Sequence, residues 1–349
     1  MEGMTQKLIV VVGATGNQGG SVARRFLAAG YRVRALTRDT HSTSATALST
    51  LGPHVELVSA DLEDVASMEE AFQGANVIFS VTNYWEPFFR PDCRIKAQEL
   101  GISCRKFAYD VELRQGRNIV DAAAKTVESL DKNGFLVSTL SHAEKCSDGR
   151  FKELYHFDSK AEIFPGYVNE KYPELAAKMS CIHTGYFYTS YNILPNSYFG
   201  KVSYSPLMRP SSFLKLYQNS DGTFTMAFTT SPDKPVPHFS PVDDMGNFTY
   251  AVSQMPPGKA YMAEGTTATW PQFLETWAKV NGVQASYKQI TPEEMIEATG
   301  ERDTGIEVAY MFSYSSDPGY DGGMDLLTAA DLRKVRDTTC TQQGALFGE

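Results

Sequence analysis

Residues 7–19 of the chain read KLIVVVGATGNQG, and this stretch decides the fold. The run KLIVVV is short, apolar and rich in β-branched residues, which is typical of a buried parallel strand. Gly13, Gly16 and Gly19 follow with the spacing G-x-x-G-x-x-G, and the apolar spacing over residues 17–30 predicts a helix. Such a turn lets the backbone approach a pyrophosphate, which then faces the helix N-terminus. We therefore predict a dinucleotide site, against the alternative of an ordinary glycine-rich turn.

Strands and helices alternate at short intervals through the first half of the chain. Further strands are predicted over residues 31–38, 54–62, 75–83, 134–139 and 179–185, with helices over 64–74, 109–130 and around 155–160. This alternation is typical of βαβ units that build a parallel sheet. The predicted fold class is therefore α/β, a Rossmann-type doubly wound parallel sheet with a smaller C-terminal α+β substrate lobe.

The second half of the chain has a different pattern, with more aromatic residues and prolines. Residues 222–240 alternate in the manner of a β-hairpin, and we predict one there. Two capping boxes, Thr269 with Gln272 and Thr291 with Glu294, each predict the start of a helix. These elements would form a smaller lobe over the open end of the sheet.

Composition and charge restrict the classes of function. The 349 residues carry a formal net charge of -9, which disfavours nucleic acid and anionic membranes as partners. Five cysteines without C-x-x-C spacing predict reduced thiols, and six scattered histidines predict no metal site. No signal-like N-terminus and no run of ~18 apolar residues is present. We therefore expect a cytoplasmic protein with a small-molecule substrate; a homodimer and a regulatory protein partner are both compatible with the sequence.

The end of the second predicted strand bears on the choice of nucleotide. Arg38 stands there and would pair with a 2′-phosphate and stack on adenine, which favours NADP. Asp39 is the alternative, because an acidic residue at this place binds the ribose hydroxyls of NAD. We favour Arg38 because it comes first, at the strand end. The fold places two further pairs at strand ends, one beside the adenine and one beside the nicotinamide ribose: Asp61 with Leu62, and Thr82 with Asn83.

Several segments, taken in order, resemble one known family. They are GATGNQGGSVAR, VRALTRD, VTNYWE, HFDSKAE and PVDDMG, and they are similar to segments of the NmrA-like family of atypical short-chain dehydrogenases. The resemblance covers most of the chain. It implies a Rossmann fold, a preference for NADP over NAD and a C-terminal substrate lobe. Some members of this family are redox sensors that bind partner proteins, whereas others, notably in fungal secondary metabolism, resemble true reductases.

The resemblance also implies roles for single residues. Arg38 would bind the 2′-phosphate, and Lys160 matches the family's lysine near the nicotinamide ribose. Tyr186 and Phe187 match the stretch that closes over the nicotinamide. The pyrophosphate would be held by the residues of the glycine-rich turn: Gly13, Thr15, Gly16, Asn17, Gln18 and Gly19.

One departure from the family pattern is an extra length of chain after VTNYWE. Residues 87–110 lengthen a link that is shorter in the family's human sensor, close to the expected mouth of the site. The extra length is either a lid or specificity loop, or a surface insertion without a role. The predicted domains are therefore an NADP-binding domain, residues 1–185, with a long insertion at about 86–110, and a mainly substrate-binding lobe, residues 186–349, part of which returns to the Rossmann sheet.

The stretch YHFDSK, residues 155–160, raises the question of catalysis. Short-chain dehydrogenases place a tyrosine four residues before the lysine, on one helix face, and here His156 occupies that place before Lys160. Tyr155 lies five residues before the lysine, about 140° around the helix, and faces elsewhere. A histidine beside a lysine is mostly neutral at neutral pH, so it is a poorer acid than a tyrosine, although it still donates a hydrogen bond or relays a proton.

Ser138, at the end of the fifth strand, is where the dehydrogenase serine would lie. The candidate catalytic residues are therefore Ser138, His156 and Lys160. Each has a structural alternative: a turn cap, a hydrogen-bonded structural histidine and a surface lysine, respectively. The other conceivable proton donors are tyrosines: Tyr84, Tyr109, Tyr186, Tyr188 and Tyr191.

Two hypotheses about function follow. The first is an NADPH-dependent reductase of a small organic carbonyl, imine or conjugated alkene, since hydride transfer needs chiefly a well-oriented nicotinamide and an acceptor. The second is a catalytically silent NADP(H) sensor that regulates a partner protein, because the usual tyrosine is missing.

Overall fold

The computed structural model describes residues 6–188, 190, 219 and 221–333. The candidate Tyr191 and most of the aromatic segment after it lie outside the described residues. The strands are β1 (Leu8–Val11), β2 (Arg32–Thr37), β3 (Val55–Ser59), β4 (Val77–Ser80), β5 (Phe135–Thr139), β6 (Met179–Thr184), β7 (Tyr186–Phe187), β8 (Phe224–Phe228), β9 (Pro235–Phe239), β10 (Ala260–Ala263), β11 (Thr266–Thr269) and β12 (Ala285–Gln289).

The α-helices of the described residues fall into two groups. In the first half of the chain they are α1 (Asn17–Ala28), α2 (Thr43–Ser49), α3 (Val65–Phe72), α4 (Trp85–Phe89), α5 (Pro91–Glu99), α6 (Cys104–Ala124), α7 (Ala143–Cys146), α8 (Tyr155–Ala161), α9 (Val168–Lys171) and α10 (Pro173–Ala176). In the second half they are α11 (Met245–Ser253), α12 (Trp270–Asn281), α13 (Pro292–Thr299) and α14 (Arg302–Tyr314). Short 3-10 and π segments lie at Val127–Ser129, Glu162–Tyr167 and Ser315–Gly319. Among these described helices none has the length and hydropathy that a bilayer span requires.

A parallel sheet forms the centre of the molecule, with the strand order β3-β2-β1-β4-β5-β6-β10. The order reverses at β1, as in doubly wound dinucleotide-binding folds. The predicted fold class is confirmed. The last strand, β10, comes from the second half of the chain and pairs with β6, so that half contributes to the central sheet.

Both faces of the sheet are covered, which explains the continuous apolar runs of the strands. Along β1, Ile9 and Val11 pack on one side, in a cluster with residues of α1 and α11 such as Phe26. Val10 packs on the other side, in a cluster with residues of α3 and α6 such as Phe72. A separate cluster, centred on aromatic side chains of β8, α12 and α14, forms the core of the second half.

Two predictions about the second half had different outcomes. The capping boxes are confirmed, because Thr269 and Thr291 each accept a hydrogen bond from the backbone three residues on. The hairpin over residues 222–240 is wrong, since β8 pairs in parallel with β12 and β9 pairs with β7 and β11. The connection between β8 and β9 is held on α14 instead: the hydroxyls of Thr229 and Thr230 donate to carbonyl oxygens of that helix.

The long helix of the first half starts earlier than the predicted 109–130. It is α6, which begins at Cys104, where the Ser103 hydroxyl accepts the Lys106 N–H, and it ends at Ala124. The chain between β4 and α6 is helical too, as α4 and α5. The inserted length therefore forms a small helical wall, with its own apolar cluster around Tyr84 and Phe88, packed on α6.

Candidate functional site

A cleft of about 940 Å³ opens at the carboxyl ends of the sheet strands. This is the edge of a doubly wound sheet at which ligands bind. All the residues that the sequence predicted for the site line this one cleft: Gly13, Thr15, Gly16, Asn17, Gln18, Gly19, Arg38, Asp61, Leu62, Thr82, Asn83, Ser138, His156, Lys160, Tyr186 and Phe187. The structure brings them together; their roles are a separate question.

The glycine-rich turn has the geometry that a pyrophosphate needs. Gly13 has a φ of +69°, a conformation that favours glycine. A Cβ at Gly19 would lie 2.2 Å from the carbonyl oxygen of Gly13, so only glycine lets α1 pack this close to β1. Gly16 precedes α1 without a side-chain cap, which leaves the first N–H groups of the helix for an anion. The residues present therefore fit a dinucleotide.

At the end of the cleft where the adenosine is expected, Arg38 and Asp39 make different contacts. The Arg38 Nη1 donates to the Glu86 Oε1 at 3.1 Å, across the edge of the cleft. The Asp39 Oδ1 accepts the backbone N–H of His41 at 2.8 Å, so this carboxylate is engaged in its own turn. Both residues line the cleft, but the guanidinium contacts Glu86 on the other side of its edge, whereas the carboxylate is bonded within its own turn.

At the opposite end, Lys160 is held by a buried carboxylate. Its Nζ forms an ion pair with the Glu112 Oε1 and lies 3.4 Å from both the carbonyl and the hydroxyl oxygen of Thr82. Glu112 is fully buried on α6, and Ser159 also donates to it. Lys160 is thus fixed by α6 and by the end of β4.

His156 is bonded to a second buried carboxylate. Its Nδ1 lies 2.6 Å from the Glu307 Oε1, and its backbone N–H donates to the same oxygen at 2.9 Å. The Arg105 Nε donates to the other oxygen of Glu307 at 2.8 Å. Glu307 has an exposed fraction of 0% and Arg105 of 3%. Burial alone would raise the pKa of Glu307, but the hydrogen bond from His156 and the charges of His156 and Arg105 outweigh it, and the pKa lies below its usual value.

The ionised Glu307 sets the proton on the imidazole ring. Because an ionised carboxylate only accepts hydrogen bonds, Nδ1 of His156 carries the proton between them. The other nitrogen, Nε2, has no hydrogen-bond partner in the described part of the chain, and His156 itself lines the cleft. The ring therefore links a buried carboxylate to the cleft wall.

The three candidate catalytic residues share the cleft without bonding to one another. Ser138 donates its hydroxyl proton to the Gln18 Oε1 at 2.8 Å, on the side of the glycine-rich turn. His156 and Lys160 have the separate partners Glu307 and Glu112. A hydrogen-bonded triad of the dehydrogenase kind is absent from this arrangement of described side chains.

Three of the four described candidate tyrosines, Tyr84, Tyr109 and Tyr188, are poor substitutes for a general acid. Tyr84 lines the cleft, but its hydroxyl donates to the Arg105 carbonyl and burial raises its pKa well above the usual value. Burial, with a hydrogen bond to Glu162, also raises the pKa of Tyr109, whose ring packs on Tyr155 outside the cleft lining. Tyr188 stacks on His238, away from the cleft lining, whereas Tyr186 lines it.

Comparison with known proteins gives the chain a family. A model described as the NmrA-like family matches residues 5–342. The chain belongs to the NmrA-like family. The resemblance found in the sequence motifs is thereby confirmed.

Relatives in this family carry oxidoreductase names. The chain is 26% identical over 326 residues to the NmrA-like family domain-containing oxidoreductase ptmS of Penicillium ochrochloron. The matched region covers 90% of this chain and 84% of the relative. It is 25% identical over 303 residues to the oxidoreductase cpsB of Aspergillus campestris, covering 84% of this chain and 78% of the relative.

Two solved structures are similar in fold. NmrA, a negative transcriptional regulator, in complex with NADP has a TM-score of 0.62 at 20% identity and covers 95% of this chain and 91% of its own. The NADPH-dependent quinone oxidoreductase QOR2 of Escherichia coli, complexed with NADPH, has a TM-score of 0.59 at 18% identity and covers 94% of each chain. At these identities the likeness establishes the fold alone.

Reasoning from the motifs of the NmrA-like family missed the residues behind the cleft wall. Arg105 and Glu112 are seven residues apart on α6, two helical turns, and so share a face. Glu307 is the buried acidic residue of α14, within the otherwise apolar run IEVAYMF. An acidic residue inside such a run is the one signal that could have drawn attention to it, since charges are buried only with partners. The other missed residues form the walls of the cleft: Trp85, Phe89, Val308, Met311 and Tyr320.

One group of possible metal ligands lies outside the cleft. Cys104, Glu301 and Asp303 have ligand atoms within 4.8 Å of one another. Asp303 accepts hydrogen bonds from the backbone N–H and the thiol of Cys104, and Glu301 accepts the first N–H groups of α14. Burial and this hydrogen bond raise the pKa of Cys104 to about 12, so its sulfur is a protonated donor. The two carboxylates of this group therefore accept N–H groups at the N-termini of α6 and α14.

Proposed function

We propose that this NmrA-like protein is an NADPH-dependent oxidoreductase that reduces a small organic carbonyl, imine or conjugated alkene. We also propose that the protein is cytoplasmic, because its cysteines are interpreted as reduced thiols. It draws on the oxidoreductase names of the relatives, the secondary metabolism that the family resemblance suggests, and the geometry of the cleft.

The glycine-rich turn and the strand ends are the residues that would hold the cofactor. The N-terminus of α1 would face the pyrophosphate, and Arg38 would pair with the 2′-phosphate. Thr82 and Lys160 would bind the nicotinamide ribose, while Tyr186, with Phe187, would close over the ring. When bound, NADPH supplies the hydride. The chain's own part is to orient the acceptor and to deliver a proton.

The observation that carries the proposal is the His156–Glu307 pair at the cleft wall. Glu307 keeps one proton on Nδ1 and stabilises positive charge on the ring, as a buried carboxylate does for a catalytic histidine. Once solvent has protonated Nε2, the imidazolium gives that proton to the substrate oxygen, nitrogen or carbon that carries negative charge after hydride transfer. His156 then returns to the neutral form with its proton on Nδ1, hydrogen-bonded to the ionised Glu307, and solvent replaces the Nε2 proton that it gave.

The sensor hypothesis is the alternative, and the missing tyrosine favours it. A histidine needed only for packing, however, does not require an ionised partner. Burying the charges of Glu307 and Arg105 carries a desolvation penalty on the order of several kcal/mol for each ion. That penalty is more easily understood where it serves proton transfer.

The experiment is NADPH oxidation against a panel of ketones, quinones, imines and enones. Lys160→Ala and His156→Gln should both lose turnover, with nucleotide binding weakened only in the lysine variant. Lys145→Ala, which removes an exposed lysine, is the matched control and should behave as wild type. Tight NADPH binding without turnover on any class would favour the sensor.

A further inference from the structure

Two guanidinium groups converge on one carboxylate oxygen at the adenosine end of the cleft. The Glu86 Oε1 accepts from the Arg38 Nη1 at 3.1 Å and from the Arg90 Nη1 at 3.3 Å. The side chains of Arg38 and Arg90 are 62% and 40% exposed, so both remain accessible to a ligand. Arg38 and Glu86 line the cleft. A single anionic group at this point is therefore within reach of both arginines.

We propose that Arg90 and Arg38 together bind the 2′-phosphate of NADPH, and that Glu86 occupies this position when the phosphate is absent. The inference rests on the proposed function only in taking NADPH as the nucleotide. Arg38 was expected at this place from its position after β2. Arg90 is not among the residues that the sequence predicts for the site. It belongs to the inserted length, which the sequence allows to be either a lid or specificity loop or a surface insertion without a role.

The orientation of Arg90 is built into the junction of α4 and α5. Arg90 has extended backbone angles, φ -71° and ψ 124°, between the end of α4 and Pro91, the first residue of α5. The Asp92 Oδ1 accepts its Nε–H at 2.8 Å. This contact holds one edge of the guanidinium and leaves Nη1 directed at Glu86. The planar group is thus pre-oriented toward the cleft edge, which reduces the ordering needed on binding.

The exchange of Glu86 for a phosphate is favourable on charge. The side chain of Glu86 is 30% exposed and its two arginine partners are more exposed still, and ion pairs that water reaches contribute little, so little is lost when Glu86 leaves. A phosphate monoester carries about -1.5 to -2 charges and offers three acceptor oxygens, enough for both arginines. NADH has a hydroxyl at this place and does not displace a carboxylate from two guanidinium groups. Arg90 should therefore affect NADPH and leave NADH nearly unchanged.

The test measures the dissociation constants of NADPH and NADH for wild type, Arg90→Met, Arg90→Lys and Glu86→Gln. Arg90→Met should weaken NADPH binding about tenfold, which is the effect of losing one partly screened charge-assisted hydrogen bond. The dissociation constant of NADH should change by no more than about twofold. Arg90→Lys should retain part of the NADPH affinity. Glu86→Gln should tighten NADPH severalfold, because it removes the competing anion. Arg32→Met is the control: it makes the same change of charge at the opposite end of β2.

Several outcomes would overturn the inference. If Arg90→Met lost affinity for NADPH and NADH equally, the role of Arg90 would be in the stability of the fold. If it lost no affinity for NADPH, Arg90 would not belong to the binding site. Weaker NADPH binding by Glu86→Gln would show that Glu86 orients the arginines for the phosphate. It would contradict the proposal that Glu86 only occupies the phosphate position when the nucleotide is absent. If wild type bound neither nucleotide, the proposed function and the inference would both fall, whereas normal NADPH binding with an inert Arg90 overturns the inference alone.

Discussion

Replacing Glu307 by glutamine should destabilise the protein more than any surface change. The carboxylate accepts hydrogen bonds from Arg105 Nε at 2.8 Å and from the His156 backbone at 2.9 Å, and it contacts the His156 Nδ1. Glutamine has nearly the same volume, but it lacks the charge and turns an N–H donor toward donors. Among the described residues, the other carboxylate near Arg105 is that of Glu153, at 3.3 Å and 57% exposed, which compensates weakly.

The expected loss follows from the burial of the pair. Removing one member of a buried ion pair typically costs about 3–5 kcal/mol, because the other charge stays buried without a partner. An entropy of unfolding of about 2.1 cal/mol/K per residue gives roughly 0.7 kcal/mol/K for a chain of 349 residues. For cooperative unfolding the Tm should therefore fall by about 4–7 °C.

The difference between wild type and Glu307→Gln should depend on pH. The pKa of Glu307 is lowered in the folded protein, so its contribution to stability is present above the unfolded value of about 4.3 and is lost as the pH falls through the folded value. Below roughly pH 4.3 the difference should shrink, because a protonated glutamate resembles glutamine.

The assay is denaturant unfolding of wild type, Glu307→Gln and Glu297→Gln from neutral pH downwards. Glu297 is an exposed residue of α13, and its variant should stay within about 0.5 kcal/mol of wild type. The double variant Arg105→Met with Glu307→Leu should be less destabilised than Glu307→Gln, since no buried charge is left alone. A loss below about 1 kcal/mol for Glu307→Gln, or one that does not shrink in acid, would refute the buried pair.

Three further results are expected. Gly19→Ala should abolish NADPH binding in a fluorescence titration, since its Cβ would lie 2.2 Å from the Gly13 carbonyl oxygen and force α1 away from the turn; retained affinity would contradict the close packing. Thr291→Ala should lower the free energy of unfolding by about 1 kcal/mol through loss of the capping box on α13, and an unchanged denaturation midpoint would show that the cap is dispensable. Tyr155→Phe should leave turnover unchanged within about twofold, because its ring packs on Tyr109 outside the cleft lining; loss of turnover would restore a tyrosine mechanism.

The position of the glycine-rich turn and of the strand ends in one cleft could be predicted from the sequence because their signals are local. A glycine-rich turn needs only its own residues, with a strand before it and a helix after it, and all of these lie within residues 7–30. The placement of Arg38 follows from the same reasoning, since it stands one residue after β2. The fold itself was accessible for a similar reason: parallel strands are apolar on both faces and stand out in the sequence.

The network behind His156 was not accessible, because its members are far apart in the sequence. Glu307 is 151 positions from His156 and 202 from Arg105, and nothing local links them. The start of α6 was missed for a smaller reason. Ser103 caps the helix, but Lys106 stands where a capping box has Glu or Gln, so the usual pattern is incomplete. The hairpin failed because the two strands pair with partners elsewhere in the chain.

The distribution of charge along the cleft ties these residues to one another. At the end of the cleft proposed to hold the nicotinamide, two cationic groups of the described residues have buried counter-ions, Glu112 for Lys160 and Glu307 for Arg105. Lys160 therefore offers hydrogen bonds there more than net charge. At the end proposed to hold the phosphate, the uncapped N-terminus of α1 faces the cleft, and the counter-ions of Arg38 and Arg90 are Glu86 and Asp92, which are accessible to solvent and can be displaced by a phosphate. The charge of the nucleotide must therefore be met at the phosphate end. It follows that the salt dependence of NADPH binding should fall in Arg90→Met and persist in Lys160→Ala.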